Sequence, residues 1–461
     1  MRSPIKIHNL LLLICLLSIG SCKREDRFLE TKPNQRLAVP ASLADLQSLL
    51  NNEQVFNRGS DPALGEISTD DFSATDDAYI SLSLSLERNA YTWQKSIYDA
   101  TYTQVADWNA PYLMVYYANT VLDALPKIGS SGNQALADQL KGAALFYRSY
   151  AFYNLVQTFA LPYNEAEAGN IPGIPLRLTA DLNAKPQRAN LGECYKQITT
   201  DLRAAAGLLP ATPAFKTQPS RPAANALLAR ISLALGKYSD ALTYANACLS
   251  EYSALTDYNK LNAPSATGIS KTYLDEDIYH STQVNYSITS TRRNSYVDAA
   301  FIALYDANDL RKTKFFTTLD GLQRFVGSYD FKNLKYSGLA TDEVYLIKAE
   351  CLARAGDVDG AMTALNTLLA KRWKTSTFIP LLAADHIDAL NKILLERRKE
   401  LLFRGTRWTD LRRLNKDPKY AIQLSRTVNG ISYSLPANDP RYAMPIPDNE
   451  ITLGGLTQNI R

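Results

Sequence analysis

"ARISLALGKYSDA" (residues 229–241) and "AECLARAGDVDGA" (residues 349–361) carry Ala, Gly and Ala at the same three offsets. Each reads as a helix, a tight glycine turn and a second helix. Small alanines let paired helices approach closely, and glycine accepts the left-handed conformation that ends a helix. After the first turn, Tyr238, Ala241, Leu242, Ala245, Cys248 and Leu249 make one helical face; after the second, Val358, Ala361, Leu365 and Leu368 do the same. The Ala-rich first helix, the Leu-Gly or Ala-Gly turn and the Ala beyond it match the packing core of a tetratricopeptide unit. The units start 120 residues apart, where a tandem array would repeat at about 34. Helix pairs scattered between long insertions suggest a helical scaffold with elaborated loops.

The helical period recurs upstream. Met114, Tyr117, Ala118, Val121, Leu122 and Leu125 form one stripe, and Leu140, Ala144, Tyr147, Ala151 and Leu155 form another. Pro126 and "GSSG" (129–132) mark the break between them. Residues 160–190 and 252–300 differ: they are rich in Pro, Gly, Asn, Ser, Thr and Tyr and lack a sustained helical period. Irregular segments of this length in a helical protein tend to be functional. The expected fold is mostly α, a tetratricopeptide-like helix-pair scaffold with a loop-rich lobe.

The amino terminus has its own logic. Arg2 and Lys6 precede an apolar run, Leu10 to Ile19, which ends in Gly20, Ser21 and Cys22. That is the layout of a secretory signal, residues 1–21, and its core falls short of the roughly 20 residues that span a bilayer. An ordinary cleaved signal with Cys22 merely near the cut is one reading. The small residues before the cysteine favour a lipobox, in which Cys22 is lipidated on sulfur and begins the mature chain. Acyl chains at about 0.8 kcal/mol per buried CH₂ would then tether it without crossing the membrane. Removing the signal lowers the net charge from +4 to +2, and no basic run provides the concentrated positive face that nucleic acid requires. With Cys15 and Cys22 set aside, Cys194, Cys248 and Cys351 remain; an odd number without CxxC spacing is a poor disulfide or metal framework. Cys248 and Cys351 sit at apolar helical positions and read as small core residues.

These segments, taken in order, carry a resemblance. "FLETKP" (28–33), "GEISTDDF" (65–72), "YYANTVLDAL" (116–125, with Asn119) and "GAALFYRSYAFYNLVQTFA" (142–160) come first. "RANLGECYKQITTDLRAAAGLLP" (188–210) and "PAANALLARISLALGKY" (222–238) follow, then "YDANDLRKTKFF" (305–316), "LLERRKELLFRGTRWTDLRRLN" (394–415) and "YAMPIPDNEI" with "GLTQN" (442–459). Over essentially the whole mature chain this resembles the SusD/RagB-like outer-membrane nutrient-binding lipoproteins of Bacteroidetes. Arg404 departs from the pattern, where an acidic residue is common. The resemblance implies a capture lid for a SusC-like TonB-dependent transporter, commonly for glycans. It also implies an outer-membrane location, lipid-anchored and facing the exterior, which "CKRED" (22–26) resembles a signal for. On this reading residues 22–250 form the N-terminal region with the first helix pairs. Residues 251–461 form the C-terminal region with the loop lobe and later pairs.

Catalytic chemistry has little material. After the signal only His280 and His386 remain, and no HExxH, GxSxG or GxxxxGK stretch occurs. No cofactor, metal site or catalytic residue is expected. Asp70-Asp71 and Asp76-Asp77 offer paired acids of the kind glycoside cleavage needs, but flanked by Ser and Thr they read more readily as a solvated turn. "ERRKE" (396–400) hints at an anion site; on a helix Glu400 and Arg404 lie one turn apart, so local pairing is expected. A sugar-binding surface wants exposed aromatic planes beside amides, guanidinium groups and carboxylates. Two stretches qualify. "DDAYISLSLSLERNAYTWQ" (76–94) supplies Tyr79, Tyr91 and Trp93, and "YLDEDIYHSTQVNYSITSTRRNSY" (273–296) supplies Tyr273, Tyr279, Tyr286, Arg292, Asn294 and Tyr296. The bland reading is that these rings pack the loop lobe. Trp108 and Trp408 lie on helical landmarks and read as core; Trp373 gives no lead. A tetratricopeptide adaptor for peptides or protein tails, or a helical glycoside hydrolase, are the competing functions.

Overall fold

A computed structural model describes residues 40–99, 102, 104–262, 273–290, 293–330 and 334–461. The signal segment, Cys22, "FLETKP" and Arg292 lie outside them. Ten helices of eight residues or more occur among the described residues. They are α1 (Leu43–Leu50), α2 (Ala106–Ile128), α3 (Gln134–Phe159), α4 (Leu191–Leu208) and α5 (Arg221–Ala234), then α6 (Tyr238–Glu251), α7 (Thr341–Arg354), α8 (Val358–Leu369), α9 (His386–Glu400) and α10 (Arg407–Leu414).

Both helix–glycine–helix units form. Gly236 (φ +74°) joins α5 to α6, and Gly356 (φ +86°) joins α7 to α8. Although distant in sequence, the units lie side by side, α6 packing on α7. Each helix from α2 to α8 packs on the next, and α9 closes the array against α7 and α8. Of the two signals for the break, Pro126 and 129–132, the second marks it: α2 runs through Pro126 to Ile128, and Gly129 (φ +69°) makes the turn. Helix α3 is buried around nearly its whole circumference in its second half. Its one buried guanidinium, Arg148, is held by Asp201 at 2.8 Å and by Asn119 at 2.9 Å. Cys194, Cys248 and Cys351 are free and buried.

The insertions fold as a lobe with little regular structure. Strands β1 (Pro172–Pro175) and β2 (Arg188–Asn190) pair, as do β3 (Asp277–Tyr279) and the later β6 (Leu339–Ala340). Two hairpins, β4 (Phe316–Leu319) with β5 (Leu322–Phe325) and β7 (Leu424–Val428) with β8 (Ile431–Leu435), turn on Asp320-Gly321 and Asn429-Gly430. All four turn residues have positive φ, the geometry that matches strand twist in two-residue hairpins. Elsewhere single bridges stitch the lobe: Asp61 to Gln283, Ser73 to Tyr296 and Thr282 to Tyr336.

Buried ion pairs join lobe to scaffold. The last turn of α9, Glu396 to Glu400, is their hub. Arg311, fully buried, binds Asp309, Glu396 and Glu400 at 2.6–2.9 Å. Arg372 binds Glu400 at 2.7 Å and Glu276 of the lobe at 2.8 Å. Arg397 reaches Asp410 at 2.8 Å, and Arg413 ties Asp410 to Glu350 of α7. The local Glu400–Arg404 pair does not form. Helix α9 ends at Glu400 and Phe403 turns left-handed (φ +58°), so Arg404 instead meets Asp342 at 3.0 Å between the rings of Tyr329 and Tyr336. Nor is the Asp70-Asp71 loop solvated. Asp70 bridges Arg398 and Arg407 at 2.7 Å, and buried Asp71 accepts from the Phe403 amide. Asp76 and Asp77 are exposed, in the first turn of a short helix, Asp76–Ser81.

Breaking such a cluster from one side strands like charges in the interior. Arg311→Met should lower unfolding stability by about 3–5 kcal/mol, read as a fall in the urea midpoint. A midpoint within experimental error of wild type would contradict the role given to this cluster.

Candidate functional site

The two aromatic stretches do meet. Ser73 and Tyr296 exchange both backbone hydrogen bonds at 2.8 Å, and the Glu87 carboxylate accepts from the Ile288 amide at 2.7 Å. Tyr79 and Tyr296 are half-buried there and border the same ring: Tyr79 lies 6.0 Å from Tyr91, and burial, Asp298 and Tyr91 together raise the pKa of the Tyr296 phenol. Asn294, also half-buried, donates to the carbonyl and hydroxyl of Ser287. Exposed Asp298 and the exposed Arg293–Asp320 pair (3.3 Å) complete a face of rings, amide, carboxylates and guanidinium. Sequence reasoning missed Asp298 and Asp320. The Asp-Gly turn signal at 320–321 would have placed the latter at a hairpin tip.

Four expected ligand-facing rings are instead interior. Tyr91 and Trp93 are each 2% exposed. The Tyr91 hydroxyl accepts from the Ala74 amide, the Trp93 indole donates to the Ser68 carbonyl, and Arg426 lies over both rings. Tyr279 donates to the Phe56 carbonyl amid Phe146, Tyr147 and Tyr150; Tyr286 donates to Asp107. The reason is physical. A lobe with few ladders has little backbone to pack, so large side chains fill it, and a buried phenol or indole then needs an internal partner. Trp93 therefore cannot stack on a ligand. Tyr273 sits apart, half-buried and edge-on to His280 at 5.0 Å. Trp108 and Trp408 are buried; Trp373 packs edge-on against Phe378.

The carboxylates of Glu276, Asp342 and Glu400 are the one metal-sized cluster among the described residues. Guanidinium groups already fill their coordination: Arg372 joins Glu276 to Glu400, Arg404 holds Asp342, and Tyr329 donates to both Glu276 and Asp342. Burial, against the pull of Arg372, pushes the Glu276 carboxyl up to about 7.

A family model described as starch-binding and associating with the outer membrane matches residues 27–233, and the SusD family model matches residues 275–460. The chain belongs to the SusD family. Solved SusD structures carry the same fold. A SusD superfamily protein from Bacteroides thetaiotaomicron superposes with a TM-score of 0.72 at 20% identity, covering 91% of this chain and 100% of that one. A SusD-like carbohydrate binding protein from Bacteroides vulgatus gives 0.66 at 21% identity, covering 90% and 97%. A SusD superfamily protein from Bacteroides fragilis gives 0.70 at 20%, covering 90% and 98%. No match occurs among curated proteins. Membership of the SusD family supports a carbohydrate-binding protein of nutrient uptake, associated with the outer membrane.

Beside Tyr273 this SusD-family chain holds a buried His280–Asp277 pair at 2.6 Å. Burial alone would lower the imidazole pKa, but the Asp277 charge and hydrogen bond raise it above its ordinary value. A pKa raised on folding gives stability that is complete below the unfolded value and is lost as pH rises through the folded one. From the ordinary imidazole value, about pH 6.5, upward, wild type should therefore lose stability relative to His280→Gln. Urea midpoints of the two proteins running parallel across that range would contradict this.

Proposed function

We propose that this protein is a lipid-anchored capture protein, facing the cell exterior, that binds oligosaccharide and hands it to a SusC-like TonB-dependent transporter without cleaving it. The observation that carries the reading is the pair of family matches, one on each half of the chain, the first of them described as starch-binding and outer-membrane associated. The ligand is proposed to lie on the loop face of Tyr79, Asn294 and Tyr296, where half-exposed rings can stack on pyranose faces and the neighbouring amide and carboxylates can meet hydroxyls. Among the residues named from the sequence, these three fit that role; the buried rings serve beneath them as a rigid floor. Of the two acid pairs offered for glycoside cleavage, the first is otherwise engaged, Asp70 with two arginines and Asp71 with a backbone amide. Cys22 is proposed as the lipid-bearing residue, with residues 22–250 and 251–461 as the two regions of the mature chain.

An oligosaccharide array should give binding with no new reducing ends released. Tyr79→Ala and Tyr296→Ala should each weaken the best ligand by about tenfold, the scale of one lost ring contact, at unchanged thermal stability. Ligand turnover, or full affinity in both variants, would sink the proposal. Cys22→Ser should leave the protein unacylated by mass spectrometry and release it from the membrane fraction.

A further inference from the structure

A second ring-lined space lies away from the loop face, between α2 and the segment that follows β1. It encloses about 510 Å³, within the range of sites that hold small ligands. Trp108, Tyr112 and Tyr116 line it at four-residue intervals along α2, so they recur about every 6 Å along one helix face. Trp108 is buried and its ring lies 4.9 Å from that of Tyr112, while Tyr112 and Tyr116 are half-exposed.

The opposite wall is fixed in place. Tyr112 donates to the Pro175 carbonyl at 2.9 Å, buried Asn119 donates to the carbonyls of Arg177 and Thr179, and Asp123 accepts from the Ala180 amide. Arg148, held by Asp201, orients Asn119 at 2.9 Å and reaches the Leu178 carbonyl. The space is therefore preformed, and a ligand need not order it.

The same bonds choose among occupants. Four carbonyls of this segment, those of Pro175, Arg177, Leu178 and Thr179, already accept from side chains of α2 and α3. An extended peptide, which binds by adding a strand to a free backbone edge, finds no such edge there. The rim carries the amide of Asn109, the guanidinium of Arg177 and the carboxylates of Asp181 and Glu450. Among the described residues neither Arg177 nor Glu450 forms a side-chain ion pair. A hydrocarbon chain would cover the exposed Leu113 and Leu182 of the lining but would desolvate Arg177, Asp181 and Glu450 without satisfying them. A ligand with flat, weakly apolar faces and an edge of hydroxyls matches both floor and rim.

We propose that this groove is a second saccharide-binding site, taking two or so pyranose units of an oligosaccharide on Tyr112 and Tyr116, with Arg177, Asp181 and Glu450 on their hydroxyls. It rests on the saccharide-binding reading above and adds to the loop face a site on the scaffold. A chain with two sites on different faces can hold one long glycan at two points, or retain a second one, and either raises its effective concentration at the surface.

The test screens the detergent-solubilised full chain on an oligosaccharide array and titrates the best binder calorimetrically. Wild type should bind two equivalents. Tyr116→Ala, whose ring is half-exposed, should lose or weaken one of them by about tenfold. Tyr112→Phe, which keeps the ring, should retain both. The Tyr79→Ala, Tyr296→Ala double variant should keep the equivalent that Tyr116→Ala loses. One equivalent, lost on Tyr79→Ala, Tyr296→Ala and unchanged by Tyr116→Ala, would overturn the second site and leave the first. No saccharide bound by wild type would overturn both.

Discussion

Arg311 and Arg372 have no contact with solvent, and between them they gather Asp309, Glu276, Glu396 and Glu400. Burying a guanidinium is affordable only where carboxylates meet it with good geometry, so these pairs fix which elements must come together. Glu396 and Glu400 belong to α9 at the end of the helical array, whereas Glu276 adjoins β3 in the loop lobe. A lobe with four two-stranded sheets and scattered bridges among the described residues has few ladders with which to hold its own shape. The ion pairs give it one. Around them Asp71 and Glu66 accept from the amides of Phe403 and Gly405, fixing the left-handed turn that ends the helix.

The scaffold was legible because helix packing leaves a periodic trace. Alanines and a glycine at fixed offsets identified both helix pairs, and the stripes of α2 and α3 could be read residue by residue. What the trace omits is spatial order: nothing in 229–241 or 349–361 states that α6 packs on α7. The ionic hub was misread for a related reason. A four-residue spacing implies neighbours only while the helix continues, and α9 stops at Glu400. Signals for the hairpins were present in Asp320-Gly321 and Asn429-Gly430 and went unused.

The candidate site divides more sharply. Composition marked two aromatic stretches, 76–94 and 273–296, and the fold pairs Ser73, just before the first, with Tyr296 of the second. It could not separate rings that face solvent from rings that fill the lobe, since both kinds are tyrosine and tryptophan among small polar residues. Tyr91, the ring that Tyr79 packs on, is core, and so is Trp93. The scaffold groove was invisible for the opposite reason. Tyr112 and Tyr116 fall outside the stripe read for that helix, Met114 to Leu125, and carry no periodic signal of their own, so nothing marked them as lining a space. For the proposed function the consequence is a rigid presentation: rings held on packed rings, on a lobe clamped to helices, would bind without first paying the entropy of ordering a loop.

Whether lobe and scaffold are one cooperative unit can be measured by native-state hydrogen exchange. Amides that tie the lobe together, those of Thr282, Gln283 and Val284, are compared with the interior amides of α7. The buried ion pairs predict the same opening free energy for both sets, equal to that of global unfolding. Lobe amides that exchange at a distinctly lower free energy, while α7 stays protected, would contradict the account.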